Sequence, residues 1–151
     1  MSVRIKNATI HRIDLKTRMP FKYGIATMTE VPMIFVSVAI ETNGKQTSGT
    51  ASDLLPPKWF TKVPNETIEN EIAEMLRVIR NTIQISIDAE AENAFELWRL
   101  IYENQTKWAL TKSIPMLLAH FGTSLVERAL IEATCKHHKR SLGQALLEGT
   151  L

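Results

Sequence analysis

Four histidines, His11, His120, His137 and His138, and a single cysteine, Cys135, are the side chains best suited to hold a metal or move a proton. Their spacing does not gather them. Neighbouring positions on a helix point about 100° apart, so His137 and His138 do not converge on one ion. Cys135 and His138 lie three apart on one face, a possible pair of ligands, but a structural zinc site takes four and no others announce themselves. A lone cysteine forms no internal disulfide, and within a helical pattern it reads as a small buried hydrophobe. The acidic group Glu66, Glu69, Glu71 and Glu74 occupies the polar positions between Ile68, Ile72 and Met75 and reads as a solvated helix face. Gly24, Gly44 and Gly49 are isolated, so no phosphate-cradling loop is spelled out, and there is no nucleophile elbow.

Composition narrows the classes further. The chain has 151 residues, 44% hydrophobic and 23% charged, which is enough for one domain with a real core. Its eighteen basic and sixteen acidic residues are interspersed, leaving a net charge of +2 and no footprint for nucleic acid. The run Lys136-His137-His138-Lys139-Arg140 falls where a helix ends, and cations there gain about 0.3 to 1 kcal/mol from the helix dipole without any ligand. The longest apolar run, Met33 to Ile40, is well short of the roughly 20 residues of a membrane-spanning helix. Met1 to Asp14 lacks the apolar core of a secretory signal, so a cytoplasmic protein is expected, without membrane or nucleic-acid partners.

The first third of the chain has a period of two. Arg4 to Lys16 carries Ile5, Ala8, Ile10, Ile13 and Leu15, with a phase slip between Ile10 and Ile13 that predicts a bulge. Met33 to Thr42 puts Ile34, Val36, Val38 and Ile40 on one face and Phe35 on the other. Asn43-Gly44 then signals a tight hairpin into a third strand, Lys45 to Ser52. Two irregular stretches interrupt the strands: a long connection from Thr17 to Val31, and Asp53 to Pro64, whose Leu54, Leu55, Trp59 and Phe60 need something to cover them.

After Pro64 the period becomes 3.6. Ile68, Ile72, Met75, Leu76, Ile79 and Ile83 predict one helix, and Ala91, Ala94, Phe95, Trp98 and Ile101 a second. A capping box at Ser124-Leu125-Val126-Glu127 opens a third, running to about His138, and Ser141 to Leu147 adds a short amphipathic piece. The fold class is therefore α+β: a three-stranded antiparallel β-meander followed by three to four helices covering one face.

The order of these parts resembles the N-terminal capping domain of the enolase superfamily, in its mandelate racemase/muconate lactonizing branch. Ile10-His11-Arg12-Ile13-Asp14-Leu15 leading to Met19-Pro20-Phe21 resembles that family's first strand and its entry into a loop. Phe35-Val36-Ser37-Val38 to Asn43-Gly44 and Gly49 resembles its hairpin, which ends in a G-x-G-E-like run. Val126-Glu127-Arg128-Ala129-Leu130-Ile131-Glu132-Ala133 resembles the helix V-E-x-A-L-W-D-A, and Ser141 to Gly149 its P-L-x-x-L-L-G-G segment. The likeness covers essentially the whole chain as a single domain, 1–151.

The resemblance implies a role as well as a fold. In such enzymes the capping domain closes over a (β/α)-barrel whose residues bind magnesium and abstract a proton α to a carboxylate. By resemblance, residues 17–31 are the first capping loop and 51–61 the second, with Lys22, Tyr23, Gly24, Asp53, Leu54, Leu55 and Pro56 the expected contacts to a small carboxylate substrate. The family's metal ligands and acid/base residues belong to barrel strands absent from this sequence. No catalytic or metal residue is assigned to this chain, and Mg2+ is expected in the missing barrel. The parent enzyme would be a metal-dependent racemase, dehydratase or cycloisomerase, and a homo-oligomer. The alternative is a stand-alone, non-catalytic binding or interaction module that kept the capping fold. One departure bears on the substrate: Gly49-Thr50-Ala51-Ser52-Asp53 stands where many members end the third strand with a glutamate. For want of a carboxylate cluster, calorimetric titration of this chain with Mg2+ should give a dissociation constant no tighter than about 1 mM. A tight isotherm would reveal a site that the spacing hides.

Overall fold

The computed structural model describes residues 2–24 and 26–151; Met1, and Ile25 within the expected first loop, lie outside the described residues. Three long strands, β1 (Val3–Tyr23), β2 (Ala26–Thr42) and β3 (Lys45–Leu54), are followed by α1 (Ile68–Ser86), a two-residue strand β4 (Glu90–Ala91), α2 (Ala94–Thr111), α3 (Met116–His138) and α4 (Leu142–Glu148). The sheet is antiparallel in the order β3-β2-β1-β4, so the meander gains a fourth strand. The two residues of β4 pair with Val3 and Arg4, too short a segment to leave a period in the sequence.

The alternation in β2 does what the pattern requires. Ile34, Val36, Val38 and Ile40 are all but inaccessible to solvent and form the sheet's contribution to the core. The turn at Asn43 (φ 52°) and Gly44 (φ 72°) has both central residues left-handed, the conformation that a tight hairpin demands and that this pair tolerates. Helices lie against the Ile34–Ile40 face. α1 contributes Met75, Val78 and Ile79, and α3 contributes Leu125, Val126, Ala129 and Leu130.

Close approach sets the spacing of these layers. A Cβ at Gly49 would lie 2.2 Å from the Ala129 carbonyl oxygen and 2.4 Å from the Ala133 nitrogen. At Gly122 it would lie 2.5 Å from the Val78 carbonyl oxygen. α3 is thus seated backbone to backbone on β3 at one point and on α1 at another. The expected capping box at Ser124 is corrected: α3 begins at Met116, after Pro115, and Ser124 Oγ bonds back to the Phe121 carbonyl inside it.

Other expectations are also corrected. Residues 17–31 are mostly not a loop, because β1 and β2 continue as a two-stranded ribbon to Tyr23 and Ala26. Its register shifts between Lys16 and Phe21, and Pro20 sits in that irregularity, where it removes no ladder bond. The ribbon is exposed on both faces, so no apolar alternation advertised it. Pairing is regular between Ile10 and Ile13, and the bulge lies instead at Lys6, between the Ile5–Ile40 and Asn7–Ala39 pairs. The phase slip arises because Ile13 and Leu15 stand on the sheet's outer face, beyond the helices. In α2 the buried side runs through Ala94, Leu97, Ile101 and Gln105, while Phe95 is exposed. Ile68, expected on the inner face of α1, is exposed too.

Gln105 shows why the helical pattern misled. It is fully buried: its amide donates to the Val78 and Ala119 carbonyls, 3.1 Å each, and its oxygen accepts from Asn81. One polar side chain joins all three long helices, with each group satisfied. Among the described residues no helix is long and apolar enough to cross a membrane. Gly49→Ala should lower stability by about 3 kcal/mol through overpacking against the α3 backbone, read as a lower urea midpoint. An unchanged midpoint would mean that α3 is not held this closely.

Candidate functional site

The end of the ribbon and the segment after β3 come together at one corner of the molecule. β1 delivers Phe21 and Tyr23, and β3 delivers Asp53 and Leu54 before the chain turns through Pro56, Pro57 and Lys58 to Trp59 and Phe60. Tyr23 Oη donates a 2.6 Å hydrogen bond to the Pro57 carbonyl, fastening the two expected capping loops to each other. Tyr23 also stacks on Phe21, ring centroids 5.9 Å apart, and tilts against Trp59 at 6.1 Å. Phe60 packs inward on Phe121 of α3.

The second loop is pinned from below. Lys58 takes a left-handed conformation (φ 60°), and Glu71 of α1 reaches it at two points. Glu71 Oε2 accepts from the Lys58 backbone N–H at 2.8 Å, and Lys58 Nζ lies 2.8 Å from Oε1, an ion contact outside hydrogen-bond geometry. Lys58 Nζ also donates to the Val63 and Glu66 carbonyls. Glu71 is buried, which corrects the reading of the acidic group as a wholly solvated face. Glu66, Glu69 and Glu74 fit that reading, but Glu71 points inward because the loop folds over it. Asp53 is held in turn by Arg128 of α3 at 2.9 Å.

Two depressions flank Tyr23. One, of about 410 Å3, is apolar and aromatic, between Phe21, Tyr23, Leu54, Pro56, Trp59 and Phe60. The other, of about 690 Å3, lies under the ribbon against the start of α1. Most of its charges are already matched, Arg12 with Asp14, Lys16 with Glu30 and Lys58 with Glu71. The first is the better candidate despite being smaller, because it presents unmatched apolar surface. Trp59 is 60% exposed, Phe21 57% and Met19 64%, though each has an apolar ring or chain that solvent does not favour.

Of the seven residues expected to touch a ligand, Tyr23, Asp53, Leu54 and Pro56 line this depression. Lys22 and Gly24 are next to it in sequence but do not line it, and Gly24 takes a left-handed turn (φ 52°). Leu55 is a correction: it is fully buried, its N–H bonded to the Pro32 carbonyl, and it belongs to the core. Phe21, Met28 and Phe121 are lining residues that the sequence did not single out, since Phe121 is far away in the chain and becomes a neighbour only through helix packing.

Burial, with the nearby Glu71 carboxylate second, raises the Tyr23 phenol above its ordinary range. Elsewhere, among the described residues, no three His, Cys, Asp or Glu side chains are grouped to hold a metal ion. His120 lies between the Thr106 and Thr123 hydroxyls and stacks on Tyr102, and burial lowers its pKa. His137 and His138 meet edge to face, without a third ligand.

No protein-family model matches the sequence, and no curated protein matches it. Solved structures do. The chain is similar to an enolase from the alpha proteobacterium bal199 with bound magnesium, at 18% identity and a TM-score of 0.64, covering 95% of this chain and 34% of that one. A Bradyrhizobium enolase complexed with magnesium and mandelic acid gives 10% identity and 0.63, covering 97% and 35%. A mandelate racemase/muconate lactonizing enzyme-like protein from Rubrobacter xylanophilus gives 13% identity and 0.60, covering 94% and 33%. The chain therefore has the enolase N-terminal-domain fold and spans about a third of the length of these structures. The magnesium bound in two of those structures does not fit the described residues here, which offer no carboxylate cluster.

Because the folded phenol titrates above the unfolded one, its contribution to stability is complete below about pH 10 and is lost as pH rises through the folded value. Urea midpoints of a Tyr102→Phe variant should fall in that alkaline window, and adding Tyr23→Phe should flatten the fall. Two superimposable pH profiles would show that the Tyr23–Pro57 tie does not form.

Proposed function

We propose that this chain is the capping, specificity-determining domain of an enolase-superfamily enzyme of the mandelate racemase/muconate lactonizing type. A (β/α)-barrel domain of the same polypeptide would carry the Mg2+ and abstract the proton α to the carboxylate of a small acid. The chain itself has no catalytic part in this reading. It closes the barrel mouth and shapes the pocket. Whether the product is racemised, dehydrated or cycloisomerised is decided in the barrel.

One observation carries the proposal: two chain segments far apart in sequence are fastened together by Tyr23 and Pro57, and they present Phe21, Trp59, Leu54 and Pro56 on one uncovered surface. A lid needs both properties. Rigidity lowers the conformational entropy lost on closure, and apolar rings exclude water from a site where charge develops. Lys22, Tyr23, Gly24, Asp53, Leu54 and Pro56 remain the proposed ligand-side positions; Leu55 supports them from the core.

The test uses the polypeptide encoded by the whole reading frame, which a barrel would extend by about 200 to 250 residues. With Mg2+, it should exchange the α-proton of a small carboxylic acid for deuterium, followed by proton NMR. Trp59→Ala should raise KM about tenfold with little change in kcat, the signature of lost binding that is uniform along the reaction. A reading frame without a barrel would favour the stand-alone module, and a Trp59→Ala variant with unchanged KM would remove the loop from the pocket.

A further inference from the structure

β1 is paired on one side only for most of its length. β4 covers Val3 and Arg4, and the segment at Asp88–Ala89 takes the Ile5 N–H and C=O. The groups left open beyond that point follow from the register. Arg128 and Lys136 donate to the Ser52 and Ser48 carbonyls, and Glu132 accepts from the Thr50 N–H, so these three residues of β3 face away from β2. Their partners Phe35, Ala39 and Ser37 then face β1 and bond to His11, Asn7 and Thr9. The alternate residues Ala8, Ile10, Arg12, Asp14 and Lys16 must point N–H and C=O away from the sheet. Among the described residues none of these has a backbone partner on that side. A long open edge of this kind is a template for another strand.

We propose that the occupant is a second copy of this chain, β1 pairing antiparallel with β1 of its partner about a two-fold axis at Ile13. Two-fold pairing must set outward-facing residues against one another, so only registers that pair even-numbered positions are open. Charge then selects among them. With the axis at Ile13, Arg12 faces the partner's Asp14 and Asp14 faces the partner's Arg12, two opposite-charge pairs generated by one symmetry operation. An axis at Arg12 sets that guanidinium against the partner's Arg12. An axis at Asp14 sets two carboxylates together and Arg12 against the partner's Lys16. An axis at His11 gains no charge pair, and one at Leu15 pairs Asp14 with the partner's Lys16 but sets Arg12 against the partner's Arg18, beyond the regular ladder.

The chosen register joins Ile10–Lys16, ending where the β1–β2 ladder becomes irregular. Arg12 and Asp14 are available to exchange partners: their side chains are 46% and 72% exposed and now bond to each other along the strand at 2.7 Å. On the outer face, Ile13, 49% exposed, would meet the partner's Ile13, and His11 the partner's Leu15. That face carries no charge from Asn7 to Leu15, and the matched face of β2 adds Met33 and Phe35. Absence of charge lets a surface meet its own copy without repulsion.

Sedimentation velocity of the 151-residue chain over about a hundredfold concentration range should show a monomer–dimer equilibrium. Arg12→Asp and Asp14→Arg should each weaken it at least about tenfold. Mixing the two variants should restore association, because the mixed dimer has opposite charges at both contacts. In a Cys135→Ser background, Ile13→Cys should cross-link the dimer under oxidation, since directly opposed residues of a non-hydrogen-bonded pair lie about 4.5 Å apart, within disulfide reach. His11→Cys should not. A monomer throughout the range overturns the proposal, as does association that ignores both charge variants but vanishes with Trp59→Ala. The latter result would assign self-association to the apolar lid and leave the proposed function standing.

Discussion

The approach of α3 to β3 at Gly49 is the constraint on which the rest of the molecule depends. A helix normally rides on a sheet with side chains between them, about 10 Å away; here the α3 backbone meets the strand directly because position 49 has no Cβ. Contact at that distance brings α3 side chains within reach of the strand's free edge. Arg128, Glu132 and Lys136, one per helical turn, take the Ser52 carbonyl, the Thr50 N–H and the Ser48 carbonyl, alternate residues along β3. A rise of about 6 Å per four helical residues nearly matches about 6.8 Å per two strand residues, so the three bonds stay in step. The Thr50 N–H in turn holds the Glu132 carboxyl below the usual carboxylate range. β3 thereby becomes a closed edge while β1 stays open, an asymmetry set by which strand the helix covers.

The same seating places the candidate site. Arg128 fixes Asp53 at the point where β3 ends, and from there the chain can only turn beneath the ribbon. Glu71 then holds Lys58 in its left-handed turn, one carboxylate oxygen accepting from the backbone N–H and the other in ion contact with the ammonium. Removing one member of a buried pair costs about 3 to 5 kcal/mol, because the other charge is left in the interior. Glu71 is 4% exposed in its side chain and Lys58 21%, so the figure for this pair belongs at the lower end. Structure that keeps the aromatic corner in place thus lies outside the corner, on α1 and α3.

How far this was legible in the sequence depended on whether a feature repeats. Ile34 to Ile40 repeats every two residues against a core and was readable, as were the Asn43-Gly44 turn and the α1 stripe through Met75 and Ile79. The ribbon from Thr17 to Tyr23 was not, because its faces are both in water and nothing selects alternation; its polar and aromatic mixture looks like a loop. Glu71 and Gln105 were hidden for the converse reason: each is a polar residue whose burial depends on a partner 13 to 27 positions away, and local periodicity counts such residues as surface. Four of the seven expected ligand-side positions line the aromatic depression, although the first of the two segments is a strand ribbon and not the loop its composition suggests. Leu55 failed because a single apolar residue in an irregular stretch carries no sign of which way it faces.

The fastening between the end of the β1–β2 ribbon and the segment after β3 has one further consequence. Its acceptor is the Pro57 main-chain oxygen, which every amino acid possesses, whereas its donor is the Tyr23 hydroxyl, which few can replace. The joint is therefore indifferent to substitution on one side and demanding on the other. The half-exposed side chain at 56 can vary without breaking this hydrogen bond, whereas Trp59 and Phe60 answer to their own aromatic neighbours, so the joint constrains the segment through its backbone and its rings while the tyrosine stays.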